Sequence, residues 1–115
     1  RVLIIGIAYK KNVADMRESP SLHLMEMLDR RGTGVDYHDP HVAAIPPTRE
    51  HLRLAGRKSV SLTAEAVAGY DAVLIATDHD NVDYVMLAEH AGLIIDTRNA
   101  MKNVPDALKA RVFKA

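Results

Sequence analysis

The chain has 115 residues, and its 15 lysines and arginines balance 15 aspartates and glutamates, so its formal net charge is zero. Because such a chain carries no broad basic field, we expect neither nucleic acid nor a membrane surface as a partner. It contains no cysteine, which excludes disulfides, thiolate metal sites and a cysteine nucleophile within these residues.

The length and the ordinary share of apolar residues predict one globular domain. No apolar run approaches the roughly 20 residues that span a bilayer, and the cytoplasm is the expected compartment. The sequence begins at Arg1, directly before an apolar run. We therefore expect the chain to be a fragment of a longer protein.

The first predicted element is a strand that starts at Val2 and breaks at Gly6. Its apolar, β-branched residues are typical of a central strand in a parallel sheet. The polar loop that follows carries Lys10, Lys11 and Arg17. A strand, a basic loop and the start of a helix form the arrangement in which α/β proteins bind anionic ligands.

The first predicted helix begins at Ser19-Pro20 and ends before Gly32. Ser19 suits the N-cap, Pro20 the first helical position, and Gly32 the residue just after the helix. Leucines and methionines at three- and four-residue spacings predict one broad apolar face. We interpret His23 as a surface residue of this helix.

A short second strand is predicted over Val35–His38, ended by Asp39-Pro40. An acidic residue here resembles the ribose-binding position of a dinucleotide fold, but the first turn lacks the G-x-G-x-x-G fingerprint. We therefore interpret Asp39 as a turn-forming residue before Pro40. The basic residues of the irregular segment 41–58 favour a solvated loop over a phosphate or subunit contact.

The remainder of the chain alternates between the two kinds of element. We predict an edge strand at 59–62, a helix at 63–68, a strand at 71–77, a helix from 82 to 91, a strand at 93–96, a short helix at 104–110 and an edge strand at 111–113. This alternation predicts an α/β fold, a three-layer Rossmann-like parallel sheet with helices on both faces. The first strand is expected at the centre, with strand 71–77 beside it.

Polar residues follow the predicted central strands and should share one edge of the sheet, where such folds bind ligands. They are Tyr9, Lys10, Lys11, Arg17, His79 and Arg98. The cations indicate a pyrophosphate or a similar compact anion, which Arg98 could bind bidentately and Lys10 as a point charge. The alternative is purely structural, with Arg17 paired to Asp15 or Glu18 and Arg98 paired to Asp96.

The run Asp78-His79-Asp80 raises the question of a metal site. Adjacent side chains point in different directions and no second histidine or cysteine motif supports them, so no metal site is predicted. His79 could act as a general acid or base, but helix capping by Asp78 or Asp80 is the simpler interpretation. With no P-loop or nucleophile elbow present, no catalytic residue is assigned.

Four motifs then occur in order: G-I-A-Y-K-K-N from residue 6, R-E-S-P from residue 17, D-P at residue 39 and D-T-R-N from residue 96. Together they closely resemble the C-terminal domain of the UDP-glucose/GDP-mannose dehydrogenase family, over nearly the whole chain. The resemblance implies that residues 1–115 form one UDP-sugar-binding domain of a longer enzyme. Its absent N-terminal Rossmann domain would bind most of the NAD, and a central helical region would make the full-length enzyme a homo-oligomer.

The reaction implied by the resemblance is the oxidation of the sugar C6 alcohol to a carboxylate with two NAD, a step of polysaccharide biosynthesis. It uses a cysteine that this chain lacks, so the fragment alone should be inactive. The family pattern implies that Tyr9, Lys10 and Arg98 contact the UDP-sugar and that Arg17 reaches the NAD. Relatives commonly carry a second acidic residue where this chain has Ala14, which weakens any acidic role for that loop.

The forms Y-K-K-N and D-T-R-N resemble those of family members that act on UDP-N-acetylhexosamines more than those that act on UDP-glucose. The resemblance therefore implies UDP-N-acetylglucosamine or UDP-N-acetylmannosamine as the substrate, with UDP-glucose as the other possibility. A different hypothesis is a stand-alone α/β regulatory or interaction module of the receiver type. Receivers need an acidic cluster at the strand ends, whereas the first strand here leads into Tyr9-Lys10-Lys11. A third hypothesis is an oligomer contact made through the segment 41–58.

Overall fold

The computed structural model describes residues 1–16 and 19–115. Its strands and α-helices are, in chain order, β1 (Val2–Ile5), α1 (Pro20–Arg30), β2 (Val35–His38), α2 (Ala64–Ala68), β3 (Ala72–Ile75), α3 (Tyr84–His90), β4 (Ile94–Asp96) and β5 (Val112–Lys114). Short 3₁₀ turns occupy Leu52–Leu54 and Asp106–Leu108. Within these described ranges, no helix is both long and apolar enough to cross a bilayer.

The strands form one parallel sheet in the order β2-β1-β3-β4-β5. The interior strand β1 buries its side chains on both faces, because Leu3 and Ile5 pack with α2 and α3 while Ile4 packs with α1. The predicted three-layer α/β fold is confirmed, and so is the pairing of β1 with β3. β1 is an interior strand between β2 and β3, but the strand at the centre of the sheet is β3.

Local sequence signals set the boundaries of the helices. Ser19 caps α1, with its hydroxyl accepting from Ser21 N at 3.3 Å, and Pro20 takes the first helical position as predicted. Gly32 follows the helix at φ +79°, in the left-handed region that glycine adopts without penalty. Thr63 caps α2 through a bond from Ala66 N.

Two predicted elements are wrong. Residues 59–62 form no strand. One backbone bond, from Val60 N to the Tyr37 carbonyl at 2.8 Å, holds this segment to β2. Beside it, Ser59 Oγ accepts from Asp39 N and the Val60 carbonyl accepts from His38 Nδ1, so no continuous ladder forms. The predicted helix at 104–110 is only the 3₁₀ turn Asp106–Leu108. Pro105 precedes it with extended geometry and disfavours a longer helix.

The irregular segment 41–58 is tied to α1 by its own basic side chains. Arg53 and Arg57 each lie 3.1 Å from Asp29, and His51 Nδ1 lies 2.8 Å from Glu26. These three side chains are therefore engaged within the chain rather than left for an anionic ligand.

Acid should weaken this attachment. The hydrogen bond from His51, supported by the positive charge of Arg30, holds the pKa of the Glu26 carboxyl below its ordinary 4.5. A lowered folded-state pKa contributes stability that is present above 4.5 and is lost as the pH falls below it. In denaturation at several pH values, Glu26→Gln should flatten the acid-side loss of stability. The exposed Glu89→Gln should leave it unchanged, and equal slopes in all three proteins would contradict the assignment.

Candidate functional site

The candidate site lies where β1, β3 and β4 end. These strands are parallel and in register, with Ile5 opposite Ile75 and Ile75 opposite Asp96. The loops that follow them therefore leave the sheet at one edge, which we call the carboxyl edge, formed by residues 6–12, 76–83 and 97–103. All the described residues that the sequence analysis proposed for the site lie on these loops.

The turn after β1 comes unusually close to the end of β3. Gly6 has φ +85°, and a Cβ placed on it would lie 2.5 Å from Thr77 Cβ and 2.7 Å from Thr77 O. Only glycine fits both the conformation and the space. Thr77 Oγ1 then donates to the Ala8 carbonyl at 2.7 Å, which fixes the turn against β3.

Asp39, which follows β2, is buried behind the carboxyl edge and does more than form the predicted turn. It does form the expected turn, since Oδ1 accepts from His41 N at 2.8 Å. In addition Oδ2 accepts from Ile7 N at 2.8 Å, from Ala8 N at 3.2 Å and from His79 Nε2 at 2.9 Å. With only 2% of its surface exposed, Asp39 organises the start of the loop after β1 rather than a ligand.

His79 is fully buried, and both of its ring nitrogens are occupied. Asn12 N lies 2.7 Å from Nδ1. A backbone N–H can only donate, so Nδ1 carries the lone pair and the proton sits on Nε2, facing Asp39. The ring is therefore held as one neutral tautomer, which leaves no nitrogen for acid–base chemistry with a ligand.

The capping interpretation of Asp78 and Asp80 is wrong. Asp83 caps α3, accepting from Met86 N at 3.0 Å. Asp80 instead accepts from Asn12 Nδ2 at 2.7 Å and pairs with Lys11 Nζ at 2.8 Å. Across residues 1–16 and 19–115, no three histidine or carboxylate side chains are grouped so that they could hold a metal ion.

Lys11 is thus engaged within the chain, unlike its neighbour. The hydrogen bond and the negative charge of Asp80 raise the pKa of the Lys11 ammonium. Lys10 is exposed, and in the part of the chain that the structure describes its ammonium has no carboxylate partner. Tyr9 has half of its surface exposed, and its backbone N donates to Asp15 O at 2.7 Å. Tyr9 and Lys10 therefore present their side chains to solvent at the carboxyl edge.

A backbone carbonyl orients the Arg98 side chain and leaves its terminal N–H donors free. Its Nε donates to the Ala76 carbonyl at 2.9 Å, at the end of β3. The predicted alternative of a structural Arg98–Asp96 ion pair is wrong, because Asp96 is buried and accepts backbone N–H groups of Arg98, Ala100 and Met101. No side chain within 1–16 or 19–115 occupies the two terminal nitrogens of Arg98, which remain available for an anion.

Two cavities flank the carboxyl edge. One of about 350 Å³ lies between the loops after β3 and β4, and its wall includes Lys11, Tyr84 and Asn99. The other, of about 460 Å³, lies beside the start of α1, and its wall includes Met16 and Pro46. Tyr9, Lys10 and Arg98 line neither cavity, so they stand on an open edge. Arg17 and its proposed partner Glu18 lie outside the described residues.

Sequence reasoning identified the exposed residues of this edge but missed its supports. Asp39, Asn12 and the tautomer of His79 act through contacts between residues 31 to 67 positions apart. Tyr84 gives further support from nearby in the chain, since its hydroxyl donates to the His79 carbonyl at 2.7 Å. Burial raises the pKa of the Tyr84 hydroxyl, which therefore stays a donor.

Comparison with known proteins adds an independent observation. Residues 3–103 match the family model described as "UDP-glucose/GDP-mannose dehydrogenase family, UDP binding domain". A UDP-N-acetyl-D-mannosamine dehydrogenase of Methanococcus maripaludis is 28% identical over 90% of this chain and 23% of its own length. A UDP-glucose 6-dehydrogenase of Bacillus subtilis is 31% identical over 96% of this chain and 26% of its own length.

The structural comparison agrees with the sequence comparison. A UDP-N-acetyl-mannosamine dehydrogenase from Staphylococcus aureus superposes with a TM-score of 0.68 and 26% identity, over 99% of this chain and 25% of that one. This chain thus spans about a quarter of the length of the relatives it matches.

Proposed function

Because this chain belongs to the UDP-glucose/GDP-mannose dehydrogenase family and matches its UDP binding domain, we propose that it binds the UDP part of a nucleotide sugar at its carboxyl edge. The observation that carries this proposal is the pair of uncommitted cations there. Lys10 follows β1 without a described ion-pair partner, and Arg98 points from β4 with its terminal nitrogens unoccupied. A diphosphate is the group that two such donors match.

We assign complementary roles to the three exposed residues. Arg98 is pre-oriented by the Ala76 carbonyl, so it can offer two parallel N–H donors to phosphate oxygens without first being ordered. Lys10 adds a mobile point charge on the same edge of the sheet. Tyr9 offers an exposed ring for stacking and a hydroxyl for hydrogen bonding to the base or the sugar.

We propose further that the whole protein is a nucleotide-sugar 6-dehydrogenase. Such an enzyme oxidises the sugar C6 alcohol to a carboxylate with two NAD, and an N-terminal domain would bind most of the cofactor. Arg17 would face that NAD, an assignment that rests on its place in the R-E-S-P motif alone. This chain has no cysteine, so the nucleophile of the reaction must lie outside these residues.

The sugar is proposed to be a UDP-N-acetylhexosamine. The relatives from Methanococcus maripaludis and Staphylococcus aureus, which act on UDP-N-acetylmannosamine by name, support this choice. The Bacillus subtilis relative is named for UDP-glucose, so UDP-glucose is the second candidate. A cytoplasmic, homo-oligomeric enzyme is the corresponding proposal for the full-length protein.

Calorimetric titration of the 115-residue chain with UDP tests the binding proposal. The wild type should bind, and Lys10→Ala and Arg98→Ala should each weaken binding by about tenfold to a hundredfold, the range expected for a hydrogen bond to a charged group. Arg31→Ala is the matched control, because Arg31 is an exposed arginine at the far end of α1. Wild-type affinity in both edge variants, or no binding by the wild type, would overturn the proposal.

A further inference from the structure

We propose that His79 is a positioning residue for the nucleotide site, acting through the backbone of Asn12 on the loop that carries Tyr9 and Lys10. His79 itself is buried and touches no ligand. The link to nucleotide binding rests on the proposed function above. The attachment of the loop by His79 does not depend on that function and can be tested separately.

The buried Asp39–His79 pair holds both ends of the exposed segment. Asp39 Oδ2 accepts from Ile7 N and Ala8 N, at the start of the segment. The same oxygen accepts Nε2–H of His79, whose Nδ1 accepts from Asn12 N at the other end. Residues 9–11 lie between these two attachment points and are exposed. Their placement therefore depends on one carboxylate and one imidazole.

The backbone at Asn12 needs such an attachment. Asn12 has φ +61°, in the left-handed region that residues other than glycine seldom occupy. Asparagine tolerates this conformation better than most residues, yet it still costs free energy relative to an extended backbone. The bond to His79 Nδ1, at 2.7 Å, offsets that cost only while the ring keeps its lone pair on Nδ1.

A second set of contacts holds the same loop, but it is exposed. Asp80 bonds the Asn12 side chain and pairs with Lys11, at side-chain exposures of 69% and 49% for Asp80 and Lys11. Exposed ion pairs contribute little because water and salt compete with them. The His79 bond, formed by a ring with no exposed surface, is the stronger of the two attachments.

The ring itself cannot turn without losing contacts. The His41 ring packs against it at 4.6 Å between centroids, and its two nitrogens are bonded to Asp39 and to Asn12 N. A turn of the ring would break both of these bonds, which together hold Nδ1 toward Asn12.

Two substitutions separate the two ring nitrogens. In His79→Asn, the amide oxygen stands near the place of Nδ1 and can still accept from Asn12 N, but the contact with Asp39 is lost. In His79→Gln, the longer amide reaches the place of Nε2 and can still donate to Asp39, but Asn12 N loses its acceptor. Each variant removes one of the two hydrogen bonds of the His79 ring. If the ring served only for packing, both variants would have similar effects.

The positioning role predicts different effects. In calorimetry with UDP, His79→Asn should stay within about threefold of the wild type, whereas His79→Gln should lose about tenfold, as expected for a lost buried hydrogen bond. Hydrogen exchange should show the Asn12 amide protected in the wild type and in His79→Asn, and fast in His79→Gln. Equal UDP affinities for the two variants, or a protected Asn12 amide in His79→Gln, would overturn the role of His79.

The outcomes also separate this inference from the proposed function. If the wild type binds no UDP, the proposed function fails, and the exchange of the Asn12 amide still decides whether His79 holds the loop. Should His79→Gln fail to fold, nitrogen NMR of the wild-type ring gives the answer. A neutral ring protonated on Nε2 supports the attachment, and a ring protonated on Nδ1 overturns it.

Discussion

Replacing Gly6 with alanine should lower the free energy of unfolding by about 3 kcal/mol, combining a left-handed backbone cost with overpacking. The new methyl group would lie 2.5 Å from Thr77 Cβ and 2.7 Å from the Thr77 carbonyl oxygen. The oxygen is a backbone atom two residues after the buried strand β3, and the Thr77 side chain is itself bonded to the Ala8 carbonyl. Neither can move aside as the end of a flexible side chain would. The turn after β1 would have to shift away from β3, and the carboxyl edge would shift with it.

Gly32 provides the matched control for this substitution. It has a similar φ of +79°, but no described residue lies within 4 Å of the place where its Cβ would stand. Gly32→Ala should therefore cost only the conformational term, about 1 kcal/mol. Urea denaturation of both variants separates the two terms. Equal losses for Gly6→Ala and Gly32→Ala would show that the contact with Thr77 is not as tight as described.

Removing the Asp39 carboxylate should have an effect of similar size. Asp39→Ala leaves the backbone N–H groups of Ile7, Ala8 and His41 and the Nε2–H of His79 without their acceptor. Each buried donor left unpaired costs about 1–3 kcal/mol, although water entering the space relieves part of the sum. We expect a loss of about 4 kcal/mol in the free energy of unfolding, at the upper end of single substitutions.

Two further variants test the origin of that loss. Asp39→Asn keeps one acceptor oxygen but turns an amide N–H toward the remaining donors, so it should cost about half as much. The side chain of Asp106 is 99% exposed, and its ion pair with Lys109 lies at the surface, so Asp106→Ala should change stability by less than about 0.5 kcal/mol. A small loss in Asp39→Ala, comparable with Asp106→Ala, would contradict the central role of Asp39.

The sequence predicted the sheet well because its signals are local. The apolar run of β1, the caps Ser19 and Thr63 and the glycine after α1 each act within a few residues, and each appears in the structure as expected. The two failures have different causes. At 104–110 the cause is local, the proline at 105. At 59–62 it is a set of bonds to residues 38 and 39, about 20 positions earlier in the chain. In both places a stronger interaction displaced a weak propensity.

The candidate site was predictable only in part. Parallel strands place their carboxyl ends together, so the chain order alone brings Tyr9, Lys10 and Arg98 to one edge. Which cations are engaged depends on distant partners, as Lys11 with Asp80 illustrates. The support from Asp39 and His79 likewise joins residues far apart in sequence. From the sequence alone, a buried aspartate cannot be distinguished from an aspartate that only forms a turn.

Amide NMR shifts of the 115-residue chain, recorded as UDP is added, test most directly whether the nucleotide binds at the carboxyl edge. We expect the largest shifts in residues 9–12, 76–80 and 97–99, with the far end of α1 unchanged. Largest shifts around the cavity walled by Met16 and Pro46, or no shifts at high UDP concentration, would contradict it.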